Sequence, residues 1–201
     1  GRKDTDRVPQ QYIRRMFMKK ILSAILALCM IVSITACSSE NESSVKGSEN
    51  KVMRDITTQE LIEDMGIGIN LGNTFESCGN WINKSSVTNY ETAWGSPVIT
   101  EQMIKGYKDC GFGVMRLPVA WSNMMDKETY TISPDYVARV KEVLNWALDS
   151  DLYVILNIHY DNGWFSDFAD DKKRDECFKK YEAIWKQLCE EFGDYGDHLM
   201  F

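Results

Sequence analysis

The segment that most constrains this chain is Leu152-Tyr153-Val154-Ile155-Leu156-Asn157-Ile158-His159, which is apolar on both alternating sides as far as Leu156. A strand with one wet face alternates apolar and polar residues. One that is apolar throughout has to be covered on both faces, as the strands of parallel sheets are. The flanking sequence supplies covers. After Ser133-Pro134, the positions Val137, Val140, Leu144 and Ala147 predict one amphipathic helix, and Phe178, Tyr181, Trp185, Leu188 and Phe192 predict another. Upstream, Met103, Ile104, Tyr107 and Cys110 predict a helix ending at Gly111, followed by a second strand, VMRLPV, at residues 114–119. GIGINLG at residues 66–72 reads as a strand with close backbone approach. Before it, Thr57 to Glu60 has capping-box spacing and opens a short helix over Leu61, Ile62 and Met65. His198-Leu199-Met200-Phe201 begins a further apolar segment.

Strand and helix therefore alternate, the pattern of an α/β chain with a parallel sheet. Two closures fit, a doubly wound sheet and a (β/α)8 TIM barrel. The nucleotide fingerprint that favours the first is missing, because Gly66-Ile67-Gly68 has no third glycine in place and opens no helix. The expectation is a (β/α)8 barrel, with the first three βα units and the start of the fourth strand in the sequence. At 201 residues the chain is short of the roughly 250 of a full barrel.

The sequence before residue 55 reads differently. Residues 1–17 are basic and polar, an upstream extension unlike the segment after it. Met18-Lys19-Lys20 then precedes sixteen mostly apolar residues ending at Ala36, shorter than the ~20 of a spanning helix and patterned as a secretory signal. Ile34-Thr35-Ala36-Cys37 resembles a bacterial lipobox. That reading makes residues 18–37 a lipoprotein signal with lipid on Cys37, and the protein a secreted one held to the bacterial cell surface by a lipid anchor in the membrane. An ordinary signal peptide with an incidental cysteine is the other reading. Residues 38–54, rich in Ser, Glu and Asn, read as a linker, and 55–201 as the barrel portion. Of the cysteines in that portion, Cys177 and Cys189 fall ~18 Å apart on one predicted helix, too far to bridge. Cys78, Cys110, Cys177 and Cys189 are expected to be buried free thiols.

Functional side chains of such barrels sit at the C-terminal ends of strands and in the adjoining loops. Those places hold Asn70, Asn73 and Glu76, then Arg116, then Asn157 and His159. A guanidinium inside an apolar strand requires a buried anion, either at a reaction centre or in a core ion pair. His159 either lines a site or caps its strand. Trp81, Trp94, Trp121 and Trp164 in loops could stack on sugar rings or plug the core, while Trp146 and Trp185 belong to helix faces and the core. A net charge of -7 argues against a nucleic-acid surface. Two histidines without ligand spacing, and no G-x-S-x-G, leave no metal site, cofactor or serine elbow to expect.

Four strings in order, residues 66–81, 91–97, 111–121 and 153–164, together resemble glycoside hydrolase family five, the cellulase or endoglucanase type, in its N-terminal portion. The resemblance implies retaining hydrolysis of β-1,4 bonds in a polysaccharide, cellulose or a related β-glucan, by two glutamates. It implies that Arg116 braces the nucleophile, that His159 lines the cleft, and that Asn73 and Glu76 hydrogen-bond sugar hydroxyls. Tyr160, where relatives often carry a second histidine, and Trp164 are placed at the substrate. The family's two glutamates, at the ends of the fourth and seventh strands, have no counterpart here, and neither Glu91 nor Asp161 has a motif claim to replace them. The chain as given is therefore expected to be inactive, and aggregation-prone through an unpaired strand edge. A mannanase, xyloglucanase or lichenase of the same family remains open. So does a non-catalytic glycan-binding surface lipoprotein, which the loop tryptophans fit equally well and against which only Arg116 speaks.

Overall fold

A computed structural model describes residues 53–201; the upstream extension, the signal with Cys37 and the linker as far as residue 52 lie outside the described residues. Four parallel strands, β1 (Gly68–Asn70), β2 (Val114–Val119), β3 (Tyr153–Ile158) and β4 (Leu199–Met200), stand in the order in which the chain makes them. Helix α1 (Thr58–Met65) precedes the sheet, and a short α2 (Val87–Glu91) comes after β1. The crossovers are α3 (Glu101–Asp109), α4 (Pro134–Asp149) and α5 (Arg174–Phe192). A doubly wound sheet reverses its strand order at a switch point. Here the order is sequential, as in the opening units of a (β/α)8 barrel.

Register assigns each strand residue to a face. Met115 pairs with Val154 and Val154 with Leu199, and this row, with Leu117, Val119 and Leu156, packs under the helices. Their covers are Ile104 of α3, Val140 and Leu144 of α4, and Ile184 and Leu188 of α5, all buried in one core. Trp121 is fully buried, so it plugs the core, and Trp146 and Trp185 pack against it.

Local chemistry sets the element ends. Thr57 Oγ1 accepts from the Glu60 N–H at 3.2 Å while Glu60 accepts from the Thr57 N–H at 2.7 Å, the reciprocal cap expected from the spacing. Gly66 closes α1 at φ 56, so the strand expected over 66–72 contracts to three residues. The expected helix end near Gly111 is two residues late; α3 stops at Asp109 and Gly111 turns the chain at φ 90. Two 3-10 segments, Trp121–Met124 and Asp161–Ala169, and the five-residue α2 have no counterpart in the sequence reading, being too short to show a period. Cys78 and Cys177 are buried free thiols, but Cys110 and Cys189 are exposed, which corrects the expectation of four buried ones. Among the described residues no helix is long and apolar enough to cross a membrane.

The linker expected to run to residue 54 stops earlier, because Arg54 is part of the folded unit. It donates to Asp197 at 2.6 Å, Asp64 at 3.0 Å and the Tyr153 hydroxyl at 2.5 Å. Tyr153 also donates to Asp64, and its ring stacks on His198 with centroids 4.3 Å apart. The cluster fastens α1 to the starts of β3 and β4. Hydrogen bonds from Tyr153 and Arg54 hold the Asp64 carboxyl below its ordinary value. Burial would raise that of Asp197, but donors on Arg54 and His198 outweigh it and the net direction is down.

A second staple ties α2 to α4. Glu91, fully buried, accepts from Arg139 at 2.8 and 3.0 Å and from the Ile99 N–H at 3.1 Å, and Arg139 also donates to the Ile99 carbonyl at 2.7 Å.

Each staple has a measurable consequence. Replacing Glu91 by Ala strands a half-buried guanidinium and should cost about 3 kcal/mol in urea unfolding. Because both carboxyls of the Arg54 cluster titrate lower when folded, their stabilisation is complete above the unfolded-chain carboxylate pKa and is lost as pH falls below it. Asp197→Asn should therefore flatten the acid limb of a stability-against-pH curve.

Candidate functional site

The face of the sheet opposite the helices carries the polar row. Asn70 pairs with Arg116, Arg116 with Ile155 and Ile155 with Met200, and two residues further along Pro118 pairs with Asn157. His159 extends the ladder past β3, its N–H donating to the Val119 carbonyl at 2.9 Å. Direct partners in a parallel sheet share a face, so Asn70, Arg116, Asn157 and His159 line one side toward the C-terminal strand ends. A pocket of about 180 Å³ on this side is bounded by Gly68, Asn70, Val114, Arg116 and Ile155.

Arg116 is the hub. Its Nη1 donates to Asn70 Oδ1 at 3.1 Å and its Nη2 lies 3.2 Å from His159 Nδ1. A guanidinium has only donors, so Nδ1 accepts, and the neutral ring carries its hydrogen on Nε2. The two residues that sequence reasoning singled out thus meet at the same mouth of the sheet. The buried anion expected beside Arg116 is not found. Among the described residues no carboxylate is within ion-pair distance of it; the side chain is half-buried and its Nη1 and Nη2 meet Asn70 and His159 instead. Asn157 Oδ1 is buried on the same face without a partner. Such an acceptor costs about 1–3 kcal/mol, so this face gains from an incoming donor.

The remaining expected site residues divide. Asn73 is exposed in the loop after β1, at φ 59. Glu76 is 5% exposed, and its oxygens accept from the Asn73 N–H at 2.5 Å and the Thr74 N–H at 2.9 Å. A buried carboxylate takes the nearest donors, here its own loop's backbone. Tyr160 stands 62% exposed at the rim. Trp164, placed at the substrate by the resemblance, stacks on Phe165 with centroids 4.1 Å apart, lies under the Lys180 ammonium at 4.3 Å and donates to Asp161. The exposed loop indoles are Trp81 and Trp94. Among the described residues no group of three or more His, Cys, Asp or Glu side chains could hold a metal ion.

Sequence reasoning missed Asp161. It is fully buried beside His159 and Tyr160, and a lone acid between a strand end and a glycine carries no pattern that announces this.

The family model of cellulase, glycosyl hydrolase family 5, matches residues 75–201. The chain belongs to glycosyl hydrolase family 5. It is 41% identical over 150 residues to endoglucanase A of Ruminococcus albus, covering 74% of this chain and 39% of that one. It is 40% identical over 156 residues to a xyloglucan-specific endo-β-1,4-glucanase of Bacteroides ovatus, covering 76% of this chain and 30% of the relative. A solved broad-specificity endoglucanase from Ruminococcus champanellensis with bound cellotriose superposes with a TM-score of 0.67 at 38% identity, over 73% of this chain and 42% of that one. The chain thus spans less than half the length of these family 5 relatives. The matched span includes Arg116, His159, Tyr160 and Trp164, and the four sequential parallel strands of the chain, three of them within that span, fit the (β/α)8 barrel of the family.

The Arg116 contact has a spectroscopic consequence. With His159 and His198 the only histidines, nitrogen-15 imidazole spectra of the full chain should show neutral His159 as the Nε2–H tautomer. Arg116→Met should turn that signal into a tautomer average; an Nδ1–H signature in the parent would contradict the geometry.

Proposed function

We propose that the Arg116–His159 side of this sheet binds a β-1,4-glucan chain, and that in the longer protein it supports hydrolysis of that chain by a retaining mechanism. The observation that carries the reading is the contact of a guanidinium from within β2 with an imidazole just past the C-terminal end of the adjacent parallel strand β3. A cation there holds a neighbouring carboxylate ionised for attack on the anomeric carbon, and the Nε2–H of His159 offers a hydrogen-bond donor to the cleft. Trp81, Trp94 and Tyr160, all exposed on loops, supply faces and edges suited to sugar rings.

Retaining hydrolysis needs two carboxyl groups ~5–5.5 Å apart, one as acid and one as nucleophile. Glu76, Glu91 and Asp161 are each consumed by hydrogen bonds inside the fold, so none of them is available. On this reading the 201-residue chain holds glucan without cutting it. Export with a lipid on Cys37, supported by the basic start, the apolar run and the lipobox-like Ile34-Thr35-Ala36-Cys37, would keep the protein at the bacterial surface where such polymers are met.

Xyloglucan is the favoured second substrate. One relative is named for it, and a family 5 enzyme of Prevotella bryantii, 30% identical with a TM-score of 0.64, was solved with a xyloglucan tetradecasaccharide.

Titrating the full chain with cellotriose and with a xyloglucan oligosaccharide, monitored by tryptophan fluorescence, tests the reading. Both should bind without release of reducing sugar. Trp81→Ala should weaken binding severalfold, the loss of one aromatic face worth about 1 kcal/mol. Absence of binding to either glucan, or cleavage by the chain, would refute it.

A further inference from the structure

We propose that Asp161 is a positioning residue, bracing the loops after β2 and β3 so that His159 meets Arg116 and Tyr160 stands clear at the rim. Asp161, Asn162 and Gly163 succeed one another at φ 51, 61 and 74, all in the left-handed region. Asp and Asn enter that region singly more readily than other residues that carry a Cβ, but two in succession persist only where surrounding contacts hold them. Gly163 fits the third place because a Cβ there would lie 3.1 Å from the Tyr160 hydroxyl.

The over-determining contacts converge on one carboxylate. Both Asp161 oxygens accept from the Ser122 N–H at 3.1 Å, Oδ1 accepts from the Ser122 hydroxyl at 2.5 Å, and Oδ2 from Trp164 Nε1 at 2.8 Å. Ser122 lies in the 3-10 turn after β2. Its neighbour Trp121 is sealed in the core and donates to the Asn157 carbonyl at 3.3 Å, within β3. The brace therefore joins the loop ends of the two strands that carry Arg116 and His159. Gly163 N–H closes the turn on the Tyr160 carbonyl at 2.7 Å.

Asp161 is itself fully buried, so it cannot touch a glucan and its effect has to pass through its neighbours. Burial pushes its carboxyl upward, against the pull of the Ser122 and Trp164 donors. An amide in its place would offer one acceptor oxygen and set an NH2 against donors, so the site selects a carboxylate over its isostere.

The inference rests on His159 and Arg116 being the working pair, but its test reads the imidazole and needs no sugar. Imidazole spectra of the full chain are recorded for the parent, Asp161→Asn and Ser122→Ala. Glu91→Gln, which cuts the other buried carboxylate network, serves as the control for mere destabilisation. Asp161→Asn should abolish the Nε2–H signature of His159 while leaving His198 in place, and Ser122→Ala should move it partway in the same direction. Glu91→Gln should lower the melting temperature with both histidines unchanged. A folded Asp161→Asn with an unaltered His159 signal would overturn the proposal, as would a Glu91→Gln that disturbs His159 equally. Should Asp161→Asn fail to fold, an unaltered His159 in Ser122→Ala overturns it. If the parent binds no glucan yet these shifts occur, the functional reading fails and the brace stands.

Discussion

Register between β2 and β3 is the constraint on which everything else depends. Six consecutive pairs, from Val114 with Tyr153 to Val119 with Ile158, lock the two strands in phase. A slip of β2 by one residue would send Met115, Leu117 and Val119 to the polar side and Arg116 into the helix-packed core. There an unpaired guanidinium would cost far more than the sheet could return. The apolar row under α3, α4 and α5 and the polar row of Asn70, Arg116 and Asn157 are two consequences of one alignment. The chemistry at the strand ends inherits its precision from the packing beneath it.

Three buried carboxylates show how the loops above that sheet acquire shape. Glu76 is satisfied by backbone N–H groups of its own turn, Glu91 by the Arg139 fork, and Asp161 by a hydroxyl, an amide and an indole. Each leaves water only because donors replace the lost hydration. In doing so each fixes a segment that has too little apolar surface to fix itself.

Much of the architecture was legible in the chain. LYVILNIH and VMRLPV read as strands, and the helix periods of residues 137–147 and 178–192 named the helices that cover them. The structure agrees to within a few residues at their ends. The convergence of Arg116 with His159 was legible too, since a charged residue inside one strand and a histidine at the end of its neighbour fall on one polar side of a parallel sheet. Less was legible in the loops. The loop tryptophans were left open between sugar and core, and they divide: Trp121 is core, Trp81 is exposed and Trp164 packs against Phe165. Loop side chains have no period, so their direction depends on turns such as Asn162–Gly163 that a residue type permits without dictating.

The sequence by itself determined the alternation of strand and helix, the face each apolar residue seeks, and the family to which four strings in order point. Those properties are encoded between residues a few positions apart, where 2.0 and 3.6 residue periods operate. The tertiary structure alone decided which acids are consumed, which indoles remain exposed, and that a carboxylate at 161 braces a serine 39 residues away. Such contacts exist only after the sheet has brought distant loops together, and their energies depend on burial that no local pattern reports.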